Sequence, residues 1–140
     1  MDLNPIKKIL IVEDDPYTNE LMTSALKMAD YEVSSVFSGE EAVRTVLSDL
    51  PDLIVLDLLM PKMDGWELCR ELRKEDSPAR RVPIVIASVM SRFGLGGEPG
   101  KVPGPISFFN KPFEPADLIK EVERIGFLNA VRDSKTIGEG

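Results

Sequence analysis

Glu13, Asp14 and Asp15 follow directly on the apolar run Lys8-Ile9-Leu10-Ile11-Val12, and Asp57 ends a second run, Leu53-Ile54-Val55-Leu56. Ser88 closes a further run, Ile84-Val85-Ile86-Ala87, and Lys111 stands just beyond the run that begins at Ile106. In an open parallel sheet, residues at the carboxyl ends of the strands share the rim where ligands bind. If the first and third strands are neighbours there, Glu13, Asp14 and Asp57 converge. Two like charges about 4 Å apart repel by roughly 4 kcal/mol at an effective dielectric near 20, so such a group favours a bound cation or a protonated member. An all-oxygen donor set with room for water suits Mg²⁺, and Mn²⁺ is the expected substitute. A hydroxyl from Ser88 and an ammonium from Lys111 at the same rim complete what phosphoryl transfer requires, which is positioning and neutralisation of charge on the moving oxygens. Taken singly, each residue has a plainer role, and Asp15, set before Pro16, is expected to cap the following helix.

The elements that must hold these residues are legible in outline. The apolar runs lack polar alternation, as strands covered on both faces do. They recur at Lys8 to Val12, Glu32 to Val36, Leu53 to Leu56, Ile84 to Ala87 and Ile106 to Phe109, most of them separated by segments of helical spacing. Helix starts are marked by Asp15-Pro16, by the capping-box pattern Ser38-Gly39-Glu40-Glu41, by Asp64-Gly65 and by Glu114-Pro115. The first helix is expected to turn Leu21, Ala25 and Met28 inward. The third is expected to bury Leu68, Cys69 and Leu72 while Arg70, Arg73 and Lys74 point away, with Trp66 and Cys69 structural. The last is expected to bury Leu118, Val122 and Ile125 and to stop near Gly126. Between the fourth and fifth strands, Gly94 to Pro105 is so dense in Gly and Pro that a long loop is expected instead of a helix, since each Gly costs about 1 and each Pro about 3 kcal/mol relative to Ala inside one.

Composition narrows the chemistry further. The 140 residues suffice for one domain, and their 43% hydrophobic and 29% charged content is that of an ordinary globular protein. Histidine is absent, which removes Ser-His-Asp and Cys-His catalysis and most zinc sites. The only cysteine, Cys69, can form no intrachain disulfide. With no signal-peptide pattern at Met1 to Pro5 and no apolar run near the roughly 20 residues that span a bilayer, a cytoplasmic location with no membrane partner is expected. A net charge of −7 repels phosphate backbones, so this domain itself is expected to bind no nucleic acid.

The runs Ile9 to Asp15 and Leu53 to Gly65, the segment Pro83 to Ser88 and the tetrad Asn110-Lys111-Pro112-Phe113 together resemble the receiver domains of two-component response regulators, of the chemotaxis-regulator kind. The likeness runs from about Lys8 to Gly126. It implies a flavodoxin-like, doubly wound α/β fold with five parallel strands in the order 2-1-3-4-5. The domain would occupy residues 8–128, between an N-terminal extension over residues 1–7 and a flexible tail over residues 129–140. By position, Asp57 resembles the phosphoacceptor, Glu13 and Asp14 the metal-binding acids, and the Leu59 backbone carbonyl a further metal ligand. Ser88 and Lys111 would meet the phosphoryl oxygens, and Ser88 and Phe108 would form the switch pair. A sensor histidine kinase or a phosphotransfer protein would donate the group, and a downstream effector protein would read the result.

The chain also departs from that pattern. A Gly/Pro loop stands where the family places a helix, Val89 occupies a position where a small residue is usual, and Leu59 and Met90 are apolar where polar side chains orient a hydrolytic water, so a long-lived phosphoaspartate is expected. The expected role is that of a phosphoacceptor, not an enzyme. A receiver-like interaction module that signals without phosphate is the alternative. An aspartyl phosphatase of the haloacid dehalogenase type needs Asp-x-Asp after its first strand, where this chain has Glu13-Asp14-Asp15.

Overall fold

The computed structural model describes residues 5–57, 63–88, 106–110 and 114–139. The described elements are, in chain order, β1 (Lys8–Val12), α1 (Pro16–Met28), β2 (Glu32–Val36), α2 (Gly39–Ser48), β3 (Leu53–Leu56), α3 (Gly65–Leu72), β4 (Ile84–Ser88), β5 (Ile106–Asn110) and α4 (Pro115–Glu139). The strands form one sheet in the order β2-β1-β3-β4-β5, and every pairing is parallel. This is the doubly wound α/β architecture and strand order that the resemblance implied. The Gly94 to Pro105 segment lies outside the described residues.

Burial on both faces explains the unbroken apolar runs. Leu10, Val12, Ile54, Leu56, Ile84 and Ile86 pack on one side with Val46, Trp66, Leu68, Cys69 and Leu72 from α2 and α3. Ile9, Ile11, Leu53, Val55, Val85 and Ala87 pack on the other with Met22 and Leu26 of α1 and Leu118, Val122 and Ile125 of α4. Successive strand residues point to opposite faces, so each run feeds both layers. Removing a side chain of this size from water contributes about 1.5–3 kcal/mol each. Trp66 and Cys69 are core residues, as expected. Burial pushes the Cys69 thiol up to about 12, which keeps it neutral and unreactive.

Three expectations are corrected. First, α1 turns Met22 and Leu26 inward with Asn19, while Leu21 and Met28 are exposed. The inner stripe of α1 thus begins with a polar residue, and an apolar count alone is drawn to the wrong face. Second, Arg73 does not point into solvent. It is buried, and its Nη1 donates to the carbonyls of Ala79 (2.8 Å) and Arg80 (3.1 Å), tying the end of α3 to the turn before β4. Burial pulls the guanidinium below its ordinary pKa.

Third, the last helix does not stop near Gly126 but continues to Glu139. An interior Gly costs about 1 kcal/mol relative to Ala. Without a proline close behind it, and with Leu128, Ala130 and Arg132 following, Gly126 does not end the helix.

Candidate functional site at the carboxyl rim

Register brings the acids together. Val12 pairs with Val36 on one side and with Leu56 on the other, so Glu13 and Asp57 leave adjacent strands at the same level. The Asp57 amide donates to the Val12 carbonyl (3.1 Å) and the Glu13 amide to the Val36 carbonyl (3.2 Å), which carries the sheet's pairing one step past the strand ends. Glu13, Asp14 and Asp57 each present a carboxylate oxygen, and these oxygens all lie within 4.8 Å of one another. Glu13 and Asp57 are buried, at 1% and 7% exposure, while Asp14 stands at the edge of solvent. Low exposure strengthens the mutual repulsion of the three charges, and only oxygen donors are offered. The set therefore fits a small hard divalent cation such as Mg²⁺ or Mn²⁺.

The surrounding backbone is fastened by caps. Asp15 is the N-cap of α1, accepting from the Thr18 amide at 2.9 Å, as expected of it. Its own amide donates to Glu13 Oε2 (3.3 Å), which orients that carboxylate. Ser38 caps α2 through the Glu41 amide (3.2 Å), and Asp64 caps α3 through the Glu67 amide (2.8 Å). Gly39 opens α2 against Met63, which leads into α3. A Cβ at Gly39 would stand 2.8 Å from Met63 Sδ and 3.2 Å from its Cβ, so the missing side chain admits the methionine. The amide of Asn19, which the sequence did not single out, reaches the Glu13 and Val36 carbonyls. The signal available for it was a lone polar residue in phase with Met22 and Leu26.

Of the other expected site residues, Ser88 is the last residue of β4, with its backbone paired to Asn110, and Phe108 lies in β5 opposite Ile86. Ser88 therefore ends its strand at the rim occupied by the acids. Leu59, Val89, Met90 and Lys111 lie outside the described residues. No described helix is long and apolar enough to cross a membrane.

Comparison with known proteins agrees with this geometry. Residues 9–123 match the response regulator receiver domain family. The chain is 36% identical over 122 residues to the probable transcriptional regulator ycf27 of Cyanophora paradoxa, covering 84% of this chain and 47% of that protein. It is 34% identical over 127 residues to the response regulator PleD of Caulobacter vibrioides, covering 90% of this chain and 27% of the relative. The chain thus spans about half or less of the length of these curated relatives. Among solved structures it resembles the chemotaxis protein CheY4 of Vibrio cholerae, with a TM-score of 0.76 and 27% identity over 85% of this chain and 98% of that one. It also resembles the receiver domain of the sensor histidine kinase PA1611 from Pseudomonas aeruginosa, with a TM-score of 0.74 and 30% identity over 84% and 95% of the two chains. That structure is described with a magnesium ion coordinated in the active site cleft. The chain belongs to the response regulator receiver domain family of two-component signalling systems.

Proposed function

We propose that this receiver domain accepts a phosphoryl group on Asp57 from a phosphohistidine of a sensor histidine kinase or a phosphotransfer protein, with Mg²⁺ as cofactor. The observation that carries this reading is the gathering of Glu13, Asp14 and Asp57 carboxylate oxygens within 4.8 Å at the carboxyl rim. Glu13, Asp14 and Asp57, with the Leu59 carbonyl, would hold the ion, and Mn²⁺ would serve in its place. Such an ion, when bound, neutralises charge on the phosphoryl oxygens.

The rest is done by the chain itself. An Asp57 oxygen bonds to phosphorus as the bond from phosphorus to the imidazole nitrogen breaks, leaving histidine on the donor and an acyl phosphate on Asp57. Ser88 donates a hydrogen bond to a phosphoryl oxygen, and Lys111 pairs with another. The modification adds nearly two negative charges and strong acceptors. These draw Ser88 inward and, through Phe108, bias a surface read by an effector protein. The domain acts as a phosphoacceptor in the cytoplasm, not as an enzyme, and contacts neither nucleic acid nor membrane itself.

Treatment with acetyl phosphate and Mg²⁺, followed by intact-mass measurement, tests the assignment. The native chain is expected to gain about 80 Da, the mass of one phosphoryl group, and Asp57→Asn to gain nothing. No gain in the native chain would favour the phosphorylation-independent interaction module.

A further inference from the structure

Three carboxylates held within 4.8 Å of one another repel, and without an ion only the covalent frame and its hydrogen bonds keep them together. Asp57 is held by the Val12 carbonyl through its own amide. Glu13 is likewise held through its own amide by the Val36 carbonyl, and beyond that bond the chain turns away from the sheet into the link between β1 and α1. The carbonyl of Glu13, at the start of that link, is held by Asn19.

Asn19 lies in the first turns of α1 and is 3% exposed, the one polar member of a stripe whose other members are Met22 and Leu26. Its Nδ2 donates to the Glu13 carbonyl at 3.0 Å and to the Val36 carbonyl at 3.1 Å, using both amide hydrogens. Its Oδ1 accepts from Thr23 Oγ1 at 3.3 Å. The opposite orientation of the amide would aim its oxygen at two carbonyl oxygens, so the chemistry selects this one. The Glu13 carbonyl belongs to the peptide plane that joins Glu13 to Asp14. The Glu13 amide, in the preceding Val12–Glu13 plane, is bonded to the Val36 carbonyl, and the Asn19 contact adds a hold on the Glu13–Asp14 plane itself.

We propose that Asn19 is a positioning residue for cation binding: by fixing the Glu13–Asp14 peptide plane it keeps those two carboxylates facing Asp57 before an ion arrives. The inference rests on the metal reading given under Proposed function and extends it to a residue that touches neither ion nor phosphoryl group. Partners that orient metal ligands from behind lose about 10- to 100-fold in affinity when removed. A residue that merely tied α1 to the sheet would lower stability and leave affinity alone.

Calorimetric titration of the full chain with MgCl₂ at constant ionic strength separates the two roles. Asn19→Ala is expected to raise the Mg²⁺ dissociation constant about tenfold, toward the low end of that range. Leu26→Ala, on the same stripe of the same helix and remote from the acids, is expected to lower the melting temperature at least as far and leave the dissociation constant within twofold. Asn19→Ser, which loses at least one of the two bonds, replaces Asn19→Ala if that variant does not fold, and is expected to weaken binding in the same direction. An unchanged affinity in the Asn19 variant, or an equal loss in Leu26→Ala, overturns the positioning role alone. Absence of Mg²⁺ binding by the unaltered chain overturns the metal reading and this inference with it.

Discussion

The two rims of the sheet use the same side chain in opposite ways. At the amino rim, Asp52 Oδ2 accepts from the amides of Lys7 and Lys8, both at 2.9 Å, and Asp49 pairs with Lys8 Nζ at 2.7 Å. Each of these acids is matched to a donor and lies in water. At the carboxyl rim, Glu13, Asp14 and Asp57 are brought against one another, two of them buried. The amino-rim acids each face a donor across the chain, whereas at the carboxyl rim three carboxylates crowd together, with the Asp15 amide donating to one of them. The contrast distinguishes the carboxyl rim as the candidate site independently of any likeness to known proteins.

Exchanging the charge at each rim gives the largest expected effect, and the signs should be opposite. Asp52→Ala removes the acceptor of two backbone amides and should destabilise by about 1–2 kcal/mol in urea unfolding, at the modest net value of exposed hydrogen bonds. Asp57→Asn relieves like-charge crowding and should stabilise by about 1 kcal/mol in metal-free buffer, a fraction of the roughly 4 kcal/mol Coulomb repulsion because solvent and neighbours screen it. If both variants lose stability equally, the distinction between the rims fails.

A smaller effect is expected at the amino rim itself. Asp30, in the turn from α1 to β2, adopts a φ of 72°, in the left-handed region that favours glycine. Asp30→Gly should therefore raise stability by about 0.5–1 kcal/mol and leave Mg²⁺ binding unchanged. A change in Mg²⁺ affinity in this variant would show that the two rims are coupled.

The smallest effect is electrostatic. The hydrogen bond and charge of Asp49 raise the Lys8 pKa above its ordinary value of 10.5. A cation whose pKa is raised in the folded state contributes stability that is fully present below the unfolded value and is lost as pH rises through the folded one. The melting-temperature advantage of the native chain over Lys8→Met should thus be constant at neutral pH and decline above about pH 10.4. It should also shrink with added salt, as for any exposed pair. An advantage that persists at pH 12 would assign Lys8 a packing role in place of a charged one.

Much of this molecule could be read along the chain. The inner strands β1, β3 and β4 were visible because they are buried on both faces and so carry an unbroken apolar run. The helix starts were visible because capping is local: Asp15, Ser38 and Asp64 lie three residues before the amides they accept from. What could not be read locally was which face of α1 turns inward, since Asn19 belongs there for the sake of two carbonyls contributed by other elements. Arg73 was misplaced for the same reason, its partners lying in a turn that spacing does not foresee. The helix end at Gly126 was misjudged because a single glycine is a preference, which a favourable following sequence outweighs.

The sequence by itself determined which residues can carry chemistry here: with no histidine and one buried cysteine, carboxylates at strand ends are what remains. Only the tertiary structure decided that Glu13, Asp14 and Asp57 stand together, because that depends on β1 and β3 being neighbours with Val12 opposite Leu56. Residue type is a local property, fixed by the chain at each position. Proximity between positions more than forty residues apart is decided by strand pairing, which satisfies backbone hydrogen bonds and buries both faces of the inner strands at once.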